Sequence, residues 1–132
     1  MARETVRFAG RVATGVGEGA FFSSLDWLHR QLQDGFGWVP VPGTFNVRIE
    51  EADVARFQQL QQRDAFQVVP PDPKFCPAKC FAARIGTAQG LLVVPQVANY
   101  RRDVLEIMAP VRLRDALRVG DGDPVEVEIE IP

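Results

Sequence analysis

The sequence has few of the residues that metal centres and nucleic-acid surfaces require. It contains one histidine and two cysteines, Cys76 and Cys80, whereas a zinc site takes about four ligands. The net charge is -2 and the isoelectric point is near 5.4, whereas nucleic-acid-binding domains usually carry a basic patch. The composition therefore disfavours a zinc protein and a protein that binds nucleic acid.

Long apolar runs are also absent. No segment has the apolar length needed to cross a bilayer, and the N-terminal segment MARETVRFAG lacks the apolar centre of a signal peptide. We therefore expect a cytoplasmic protein without membrane contact, either a monomer or a weak oligomer. The 132 residues are 46% hydrophobic and contain no repeat or linker, which predicts a single domain over residues 1–132.

Short alternating segments predict a mostly β protein with short helices. The strand-like segments are ETVRFAGRVA, TFNVRIE, AFQVV, KCFAARIG, GLLVVPQ, DVLEIMAP and PVEVEIEIP. TAQG is the predicted turn between KCFAARIG and GLLVVPQ. Helices and strands do not alternate regularly, so a doubly wound sheet is disfavoured. About six of these segments, with glycine and proline at their corners, are expected to form a small closed barrel.

Three segments have helical character. SSLDWLHRQLQDGFG has three leucines at helical spacing, with Ser23 or Ser24 as the predicted N-cap and Asp34-Gly35 as the predicted end. EADVARFQQLQQ is predicted to be a second helix, and VRLRDALRV a short helix or turn. These helices would act as lids or plugs on the barrel.

The segment PGTFNV raises the first functional question. Thr44 and Asn46 alternate along a predicted strand and should share one face. A hydroxyl and an amide oxygen could bind magnesium, which prefers oxygen ligands. Taken alone, a turn that starts a strand explains the same two residues more simply.

The segment GVGEG lies between a predicted strand and a predicted helix. Its alternating glycines, Gly15, Gly17 and Gly19, would allow backbone amides to approach a phosphate group. The segment lacks the lysine of a Walker loop and the spacing of a dinucleotide-binding motif. By itself, GVGEG is better explained as a flexible turn between strand and helix.

Charged residues near the C-terminus give further candidates. Glu106 stands in the apolar strand DVLEIMAP, where a carboxylate either faces solvent or is buried with a partner. Val104 and Met108 on the same face make solvent exposure less favourable, so Glu106 is the strongest single candidate for substrate recognition. A general-base role is also possible for it. The arginines of VRLRDALR suit phosphate groups or a solvated basic face. Asp121 and Asp123 of GDGD are predicted to form a turn rather than a metal site.

These segments occur together in an order that resembles a known family. GVGEGAFF, GFGWVPVPGTFNV, DVLEIMAPVRLRDAL and GDGDPVEV have the order and approximate spacing found in the archaeal-type CTP-dependent riboflavin kinases, from about Gly10 to the C-terminus. The resemblance implies a six-stranded cradle-loop (RIFT-type) β-barrel. It also implies transfer of the γ-phosphate of CTP to the 5′-hydroxyl of riboflavin, which gives FMN and CDP.

The resemblance assigns roles to individual positions. It implies that Thr44 and Asn46 bind Mg²⁺, and that Ala98 and Glu106 contact the flavin. It implies that the glycine loop binds the nucleotide phosphates and that a later segment binds the cytosine end through backbone groups. The implied nucleotide-binding residues are Gly15, Val16, Gly17, Glu18, Gly19, Ala20, Val111, Arg112, Leu113 and Arg114.

One departure from the family pattern affects a predicted flavin contact. Ala98 stands where a threonine is usual, so a flavin contact of ~1 kcal/mol is lost unless Asn99 compensates. This departure leaves two alternatives open. One is a kinase for another flavin-like heterocyclic alcohol, and the other is a non-catalytic regulatory module that binds a nucleotide or a flavin. The glycine loop and the predicted magnesium ligands favour an enzyme.

Overall fold

The computed structural model of the protein describes residues 4–15, 22–98 and 100–132. Within these residues the chain forms seven strands and three short α-helices. The strands are β1 (Glu4–Ala13), β2 (Phe45–Ile49), β3 (Phe66–Val68), β4 (Ala78–Ile85), β5 (Ala88–Pro95), β6 (Val104–Met108) and β7 (Pro124–Ile131). The helices are α1 (Asp26–Phe36), α2 (Val54–Gln61) and α3 (Leu113–Leu117), and a 3-10 turn (Glu51–Asp53) leads into α2.

Six of the strands close into a ring. All pairings are antiparallel, in the order β4–β5–β6–β2–β1–β7, and a β4–β7 pairing returns the sheet to its start. Among the described residues β3 pairs only with β4, so it lies outside the ring. The predicted mostly β fold and six-stranded barrel are therefore confirmed, and β3 is an additional strand on the edge.

The barrel has an interior core and a second apolar layer outside it. Phe8, Val47, Leu105 and other inward-facing residues fill the interior. Leu28 and Leu32 of α1 pack on the outer face of the sheet. Strand β5 serves both layers, because its residues 91–94 alternate between the interior and the layer under α1. This double burial explains the continuous apolar run GLLVV.

The boundaries of α1 differ from the prediction. Leu25 occupies the N-cap position without a side-chain hydrogen bond, so the predicted cap at Ser23 or Ser24 is wrong. The buried Ser23 instead accepts a hydrogen bond at Oγ from the Gly43 N–H, at 2.8 Å. The helix continues through Phe36, because the left-handed residue that ends it is Gly37 (φ +80°) and not Gly35.

The turn between β4 and β5 also differs from the prediction. Gly86 and Thr87 form the connection, with Gly86 at φ +59°, whereas the other three residues of the predicted TAQG turn belong to β5. A left-handed glycine is the usual requirement of a two-residue hairpin turn. Across the three described ranges, none of the helices is long and apolar enough to traverse a bilayer.

Candidate functional site

Asn46 lies on β2 at the centre of the candidate site. Its partners across the sheet are Ala13 on β1 and Glu106 on β6. The neighbours Phe45 and Val47 face the barrel interior, so Asn46 and Glu106 face outward side by side. Asn46 is nevertheless only 5% exposed, which means that other parts of the chain cover it.

Thr44 shares this face with Asn46. The Thr44 hydroxyl donates a hydrogen bond to Asn46 Oδ1 at 3.1 Å, which confirms that the two polar residues of PGTFNV point to the same place. Two contacts fix the preceding residues: the Gly43 N–H donates to Ser23 Oγ at 2.8 Å, and the Val41 N–H donates to the Ala109 carbonyl at 2.9 Å. The turn and the candidate ligand pair are therefore one feature.

Glu106 is held by the single tyrosine of the chain. The Tyr100 hydroxyl donates a hydrogen bond to Glu106 Oε2 at 2.9 Å. Burial raises the pKa of the Tyr100 hydroxyl, and the nearby Glu106 carboxylate raises it further, so the phenol remains a proton donor at neutral pH. The flanking Val104 and Met108 are buried, which explains why Glu106 is only half-exposed.

The sequence analysis missed the role of Tyr100. The available signal was its place in the segment that leads into the strand of Glu106, six residues before that carboxylate. No periodicity rule relates a loop residue to a strand residue at this spacing. The contact depends on how the connection between β5 and β6 folds back over the sheet.

A pocket of about 210 Å³ adjoins Thr44. Residues 41–45 form one wall, and the opposite wall contains the predicted nucleotide-binding segment from Val111 to Arg114. The Leu113 side chain belongs to the interior core and is 4% exposed. Leu113 can therefore offer a ligand mainly its backbone, whereas the neighbouring Arg112 and Arg114 also line the pocket.

Gly15, at the start of the glycine loop, packs against Asn46. A Cβ atom at Gly15 would overlap Asn46 Nδ2, so a side chain there would have to displace the Asn46 amide. The predicted nucleotide-binding residues Val16, Gly17, Glu18, Gly19 and Ala20 lie outside the described residues. The loop thus starts against Asn46, and its contacts with a nucleotide remain a prediction.

A second set of contacts connects the glycine loop to the arginine segment. Asp121 accepts hydrogen bonds from the Thr14 hydroxyl at 2.6 Å and from Arg114 Nη2 at 2.6 Å. Arg114 Nη2 also donates to the Ala13 carbonyl at 3.3 Å. Both hydrogen bonds lower the pKa of the Asp121 carboxyl, and the bond from Thr14 has the larger effect. The predicted GDGD turn is confirmed, since the Gly120 N–H donates to Asp123 Oδ2 at 2.9 Å.

Ala98 lies apart from these groups. It is exposed in the connection between β5 and β6, and Asn99 lies outside the described residues. A pocket of about 470 Å³ is lined by residues on either side of Ala98, namely Val97 and Tyr100. Its opposite wall consists of the glutamines Gln58, Gln61 and Gln62. Neither Ala98 nor Glu106 lines this polar pocket, but Val97 beside Ala98 and Tyr100, which is bonded to Glu106, do.

The chemistry of the Thr44–Asn46 pair fits a magnesium ion. A hydroxyl oxygen and an amide oxygen lie 3.1 Å apart, and both are hard oxygen donors of the kind that Mg²⁺ takes. Neither oxygen is charged, so phosphate oxygens of a substrate would have to provide the charge that balances the ion. Glu106, on the neighbouring strand, is the closest carboxylate in the β2–β6 pairing.

The fold and the site together define a small antiparallel β-barrel with a group of polar side chains on the outer face of β2 and β6. A family model described as "Domain of unknown function DUF120", and labelled as the CTP-dependent riboflavin kinases, matches residues 12–129. The chain belongs to this family. The match includes each residue considered above for ligand binding.

Riboflavin kinases of archaea are similar to the chain. The riboflavin kinase of Pyrobaculum aerophilum is 38% identical over 129 residues, which is 95% of this chain and 61% of that protein. The riboflavin kinase of Pyrobaculum calidifontis is 36% identical, over 95% of this chain and 60% of that protein. The riboflavin kinase of Archaeoglobus fulgidus is 35% identical, over 95% of this chain and 55% of that protein. The chain thus spans somewhat more than half the length of these relatives.

Proposed function

We propose that this chain is a CTP-dependent riboflavin kinase, which transfers the γ-phosphate of CTP to the 5′-hydroxyl of riboflavin and releases FMN and CDP. The observation that carries the proposal is the convergence of Gly15, Thr44, Asn46 and Glu106 on the outer face of three adjacent strands. The archaeal relatives named riboflavin kinase support the acceptor. The label of the family model supports CTP as the donor.

The donor side of the proposed site is the pocket beside Thr44. Arg112 and Arg114 line this pocket, and guanidinium groups suit phosphate oxygens. Both are paired with aspartates, Arg112 with Asp115 and Arg114 with Asp121. Gly15 packs on Asn46 at the start of the loop, and the glycines that follow it in the sequence would allow backbone amides to approach a phosphate. The backbone near Leu113 would then be available to the cytosine ring.

The acceptor side of the proposed site is the polar pocket beyond Tyr100. A flavin ring has carbonyl and amide edges, and the glutamine wall of this pocket offers both donors and acceptors. Glu106 is connected to the acceptor pocket through Tyr100, which lines that pocket and donates to Glu106 Oε2, and it lies opposite Asn46 in the β2–β6 pairing. A substrate hydroxyl that meets Glu106 would be directed toward Thr44 and Asn46.

In the proposed reaction the riboflavin 5′-oxygen attacks the γ-phosphorus, the bond from that phosphorus to the β-phosphate oxygen breaks, and CDP leaves. Phosphoryl transfer depends mainly on positioning and charge neutralisation. Mg²⁺, held by Thr44 and Asn46, would neutralise charge on the phosphates. Glu106 would orient the attacking hydroxyl and accept its proton, while Tyr100 holds the carboxylate in place.

A direct assay tests the proposal. The purified chain is incubated with Mg²⁺ and riboflavin together with CTP or ATP, and FMN is separated from riboflavin. We expect equal amounts of FMN and CDP with CTP, and little FMN with ATP. Absence of FMN with every nucleoside triphosphate would contradict the proposal.

Two substitutions test the magnesium assignment. Thr44→Ala and Asn46→Ala should each lower turnover by about 100-fold, and added Mg²⁺ should restore part of the activity. Folding should change less, because one lost hydrogen bond costs about 1 kcal/mol. The matched control is Thr5→Ala, at the opposite end of β1, which should leave turnover unchanged. Full activity in both test variants would refute the metal assignment.

Ala98 favours a second candidate acceptor. Without a hydroxyl at this position, a flavin-like heterocyclic alcohol with fewer polar groups could occupy the acceptor pocket. Tight binding of CTP together with no phosphorylation of riboflavin would support this alternative. If CTP binds tightly but no flavin-like alcohol is phosphorylated, the result would instead support a non-catalytic regulatory module.

A further inference from the structure

Asp121 connects two segments that the proposed function assigns to the nucleotide. We propose that Asp121 is a positioning residue, which holds Thr14 at the start of the glycine loop and Arg114 in the pocket in a fixed relation. Its two carboxylate oxygens are divided between them: Oδ2 accepts from the Thr14 hydroxyl and Oδ1 accepts from Arg114 Nη2, each at 2.6 Å. The inference rests on the proposed function, because it concerns the same nucleotide site.

The contacts of Asp121 set the direction of the Arg114 side chain. Arg114 Nη2 donates to Asp121 Oδ1 and also to the Ala13 carbonyl, so one edge of the guanidinium group is directed toward the end of β1. Arg114 is also one of the residues that line the pocket beside Thr44, so the direction of its planar group affects what this pocket offers a ligand. Without the carboxylate, the long side chain would regain rotamer freedom that nucleotide binding must remove.

Thr14 has the corresponding role on the loop side. Its hydroxyl is bound to Asp121 Oδ2, and the next residue, Gly15, packs on Asn46 without room for a side chain. A shift of Thr14 would therefore move Gly15 relative to the candidate magnesium ligands. Asp121 thus affects both ends of the proposed phosphate site, although it lines neither pocket described above.

The turn that carries Asp121 does not depend on this carboxylate. The Val12 N–H donates to the Asp123 carbonyl at 2.9 Å, and the Gly122 N–H donates to the Val12 carbonyl at 2.8 Å. Arg11 Nη1 donates to the Gly122 carbonyl at 2.9 Å. These contacts attach the turn to β1 through its backbone. Removal of the Asp121 charge should therefore leave the fold intact.

The contact between Asp121 and Arg114 contributes too little to the free energy of unfolding to be explained by stability. Their side chains are 59% and 32% exposed, and exposed ion pairs contribute little to the free energy of unfolding. If Asp121 affected only stability, its substitution would change the free energy of unfolding very little and would leave nucleotide binding unchanged. A positioning role predicts a clear effect on nucleotide binding alone.

The test compares Asp121→Asn with Asp123→Asn in the full chain. Asp121→Asn leaves one acceptor oxygen for two donors, whereas Asp123→Asn removes the same charge and keeps an acceptor for the Gly120 N–H. We expect Asp121→Asn to raise the KM for CTP and the Kd for CDP by about tenfold. The KM for riboflavin and the Tm should stay at the values of the Asp123→Asn control.

A double-mutant cycle with Thr14→Val adds a second readout. If Asp121 acts through Thr14, the combined variant should lose much less CDP affinity than the sum of the two single losses in free energy. Additive losses, or equal Kd values for Asp121→Asn and the control, would overturn the positioning role while wild-type activity stands. If the wild-type chain neither binds CDP nor forms FMN, the proposed function fails, and the role of Asp121 fails with it.

Discussion

Ala98 presents a methyl group in the connection between β5 and β6, beside the polar pocket that Tyr100 lines. The residue is exposed, so a larger side chain can be accepted there without repacking the core. The absence of a hydroxyl is therefore a feature of the proposed acceptor pocket and not a requirement of the fold. Because the fold does not depend on this side chain, a substitution at Ala98 can test binding of the acceptor without a change in stability.

Restoring a hydroxyl at this position should strengthen riboflavin binding. Ala98→Thr should lower the KM for riboflavin about fivefold, since one hydrogen bond contributes roughly 1 kcal/mol, and should leave the KM for CTP unchanged. Steady-state kinetics of FMN formation measure both constants. Ala98→Val is the matched control, because it adds similar volume without a hydroxyl. Equal riboflavin KM values for the two variants would contradict a hydroxyl contact.

At the scale of single residues, local patterns predicted some features and not others. Alternation along one strand was enough to predict that Thr44 and Asn46 share a face, and their 3.1 Å contact confirms it. The bond between Thr14 and Asp121 joins residues 107 positions apart, so no local pattern could indicate it. The N-cap of α1 was predicted at Ser23 or Ser24, but the Ser23 hydroxyl accepts a hydrogen bond from the Gly43 N–H instead. This contact joins two different segments, so the local sequence does not indicate it.

At the scale of elements, the edge strand β3 depends on a side chain from α1. Gln31 Nε2 donates to the Val69 carbonyl, and the Val69 N–H donates to Gln31 Oε1, both at 2.7 Å. This pair of bonds continues the hydrogen bonding of β3 beyond its last residue. A primary amide is suited to this task because it presents one donor and one acceptor in the same plane.

Removal of this amide should loosen β3 without opening the barrel. Gln31→Ala should lower the free energy of unfolding by about 1–2 kcal/mol and should speed amide hydrogen exchange in residues 66–69. Gln33→Ala is the control, because Gln33 is exposed on the same helix and should change stability by less than about 0.5 kcal/mol. Urea unfolding measures the first effect. Equal midpoints for the two variants would show that the Gln31 bonds do not stabilise β3.

The strength of each sequence pattern determined how well each element was predicted. PVEVEIEI alternates strictly, and it forms β7 over its full length. TAQG resembles a turn, yet three of its residues extend β5 because Gly86 provides the left-handed conformation that the hairpin needs. AFQVV was recognised as strand-like, but its length and composition did not indicate that β3 lies outside the ring.

At the scale of the whole molecule, ring closure depends on a close approach of β5 and β6. A Cβ atom at Gly90 would lie 2.7 Å from Ile107 Cγ2 and 2.8 Å from the Met108 carbonyl oxygen. One of these two atoms is backbone, so a side chain at Gly90 could be accepted only by moving the strands apart. The same strand, β6, carries Glu106, and the closure therefore also sets the geometry of the site.

Gly90→Ala should consequently destabilise the barrel. We expect a loss of about 1–3 kcal/mol in the free energy of unfolding, as for other overpacked interiors. Gly120→Ala is the control, because a Cβ atom there has no neighbour within 4 Å and should change stability by less than about 0.5 kcal/mol. Chemical denaturation measures both values. A Gly90→Ala protein as stable as the control would show that the ring can widen freely.

The pairing of the first strand with the last has a practical consequence for protein engineering. Glu4 lies opposite Ile131, and the ten residues of β1 separate this pair from the Gly15 end by about 30 Å. A tag or fused domain joined next to Glu4 or Ile131 would begin far from the pocket beside Thr44, whereas Glu4 is bound to Arg63, the neighbour of Gln62 in the wall of the polar pocket. The same adjacency permits circular permutation, in which a short linker joins these positions and new termini open at the Gly86-Thr87 turn.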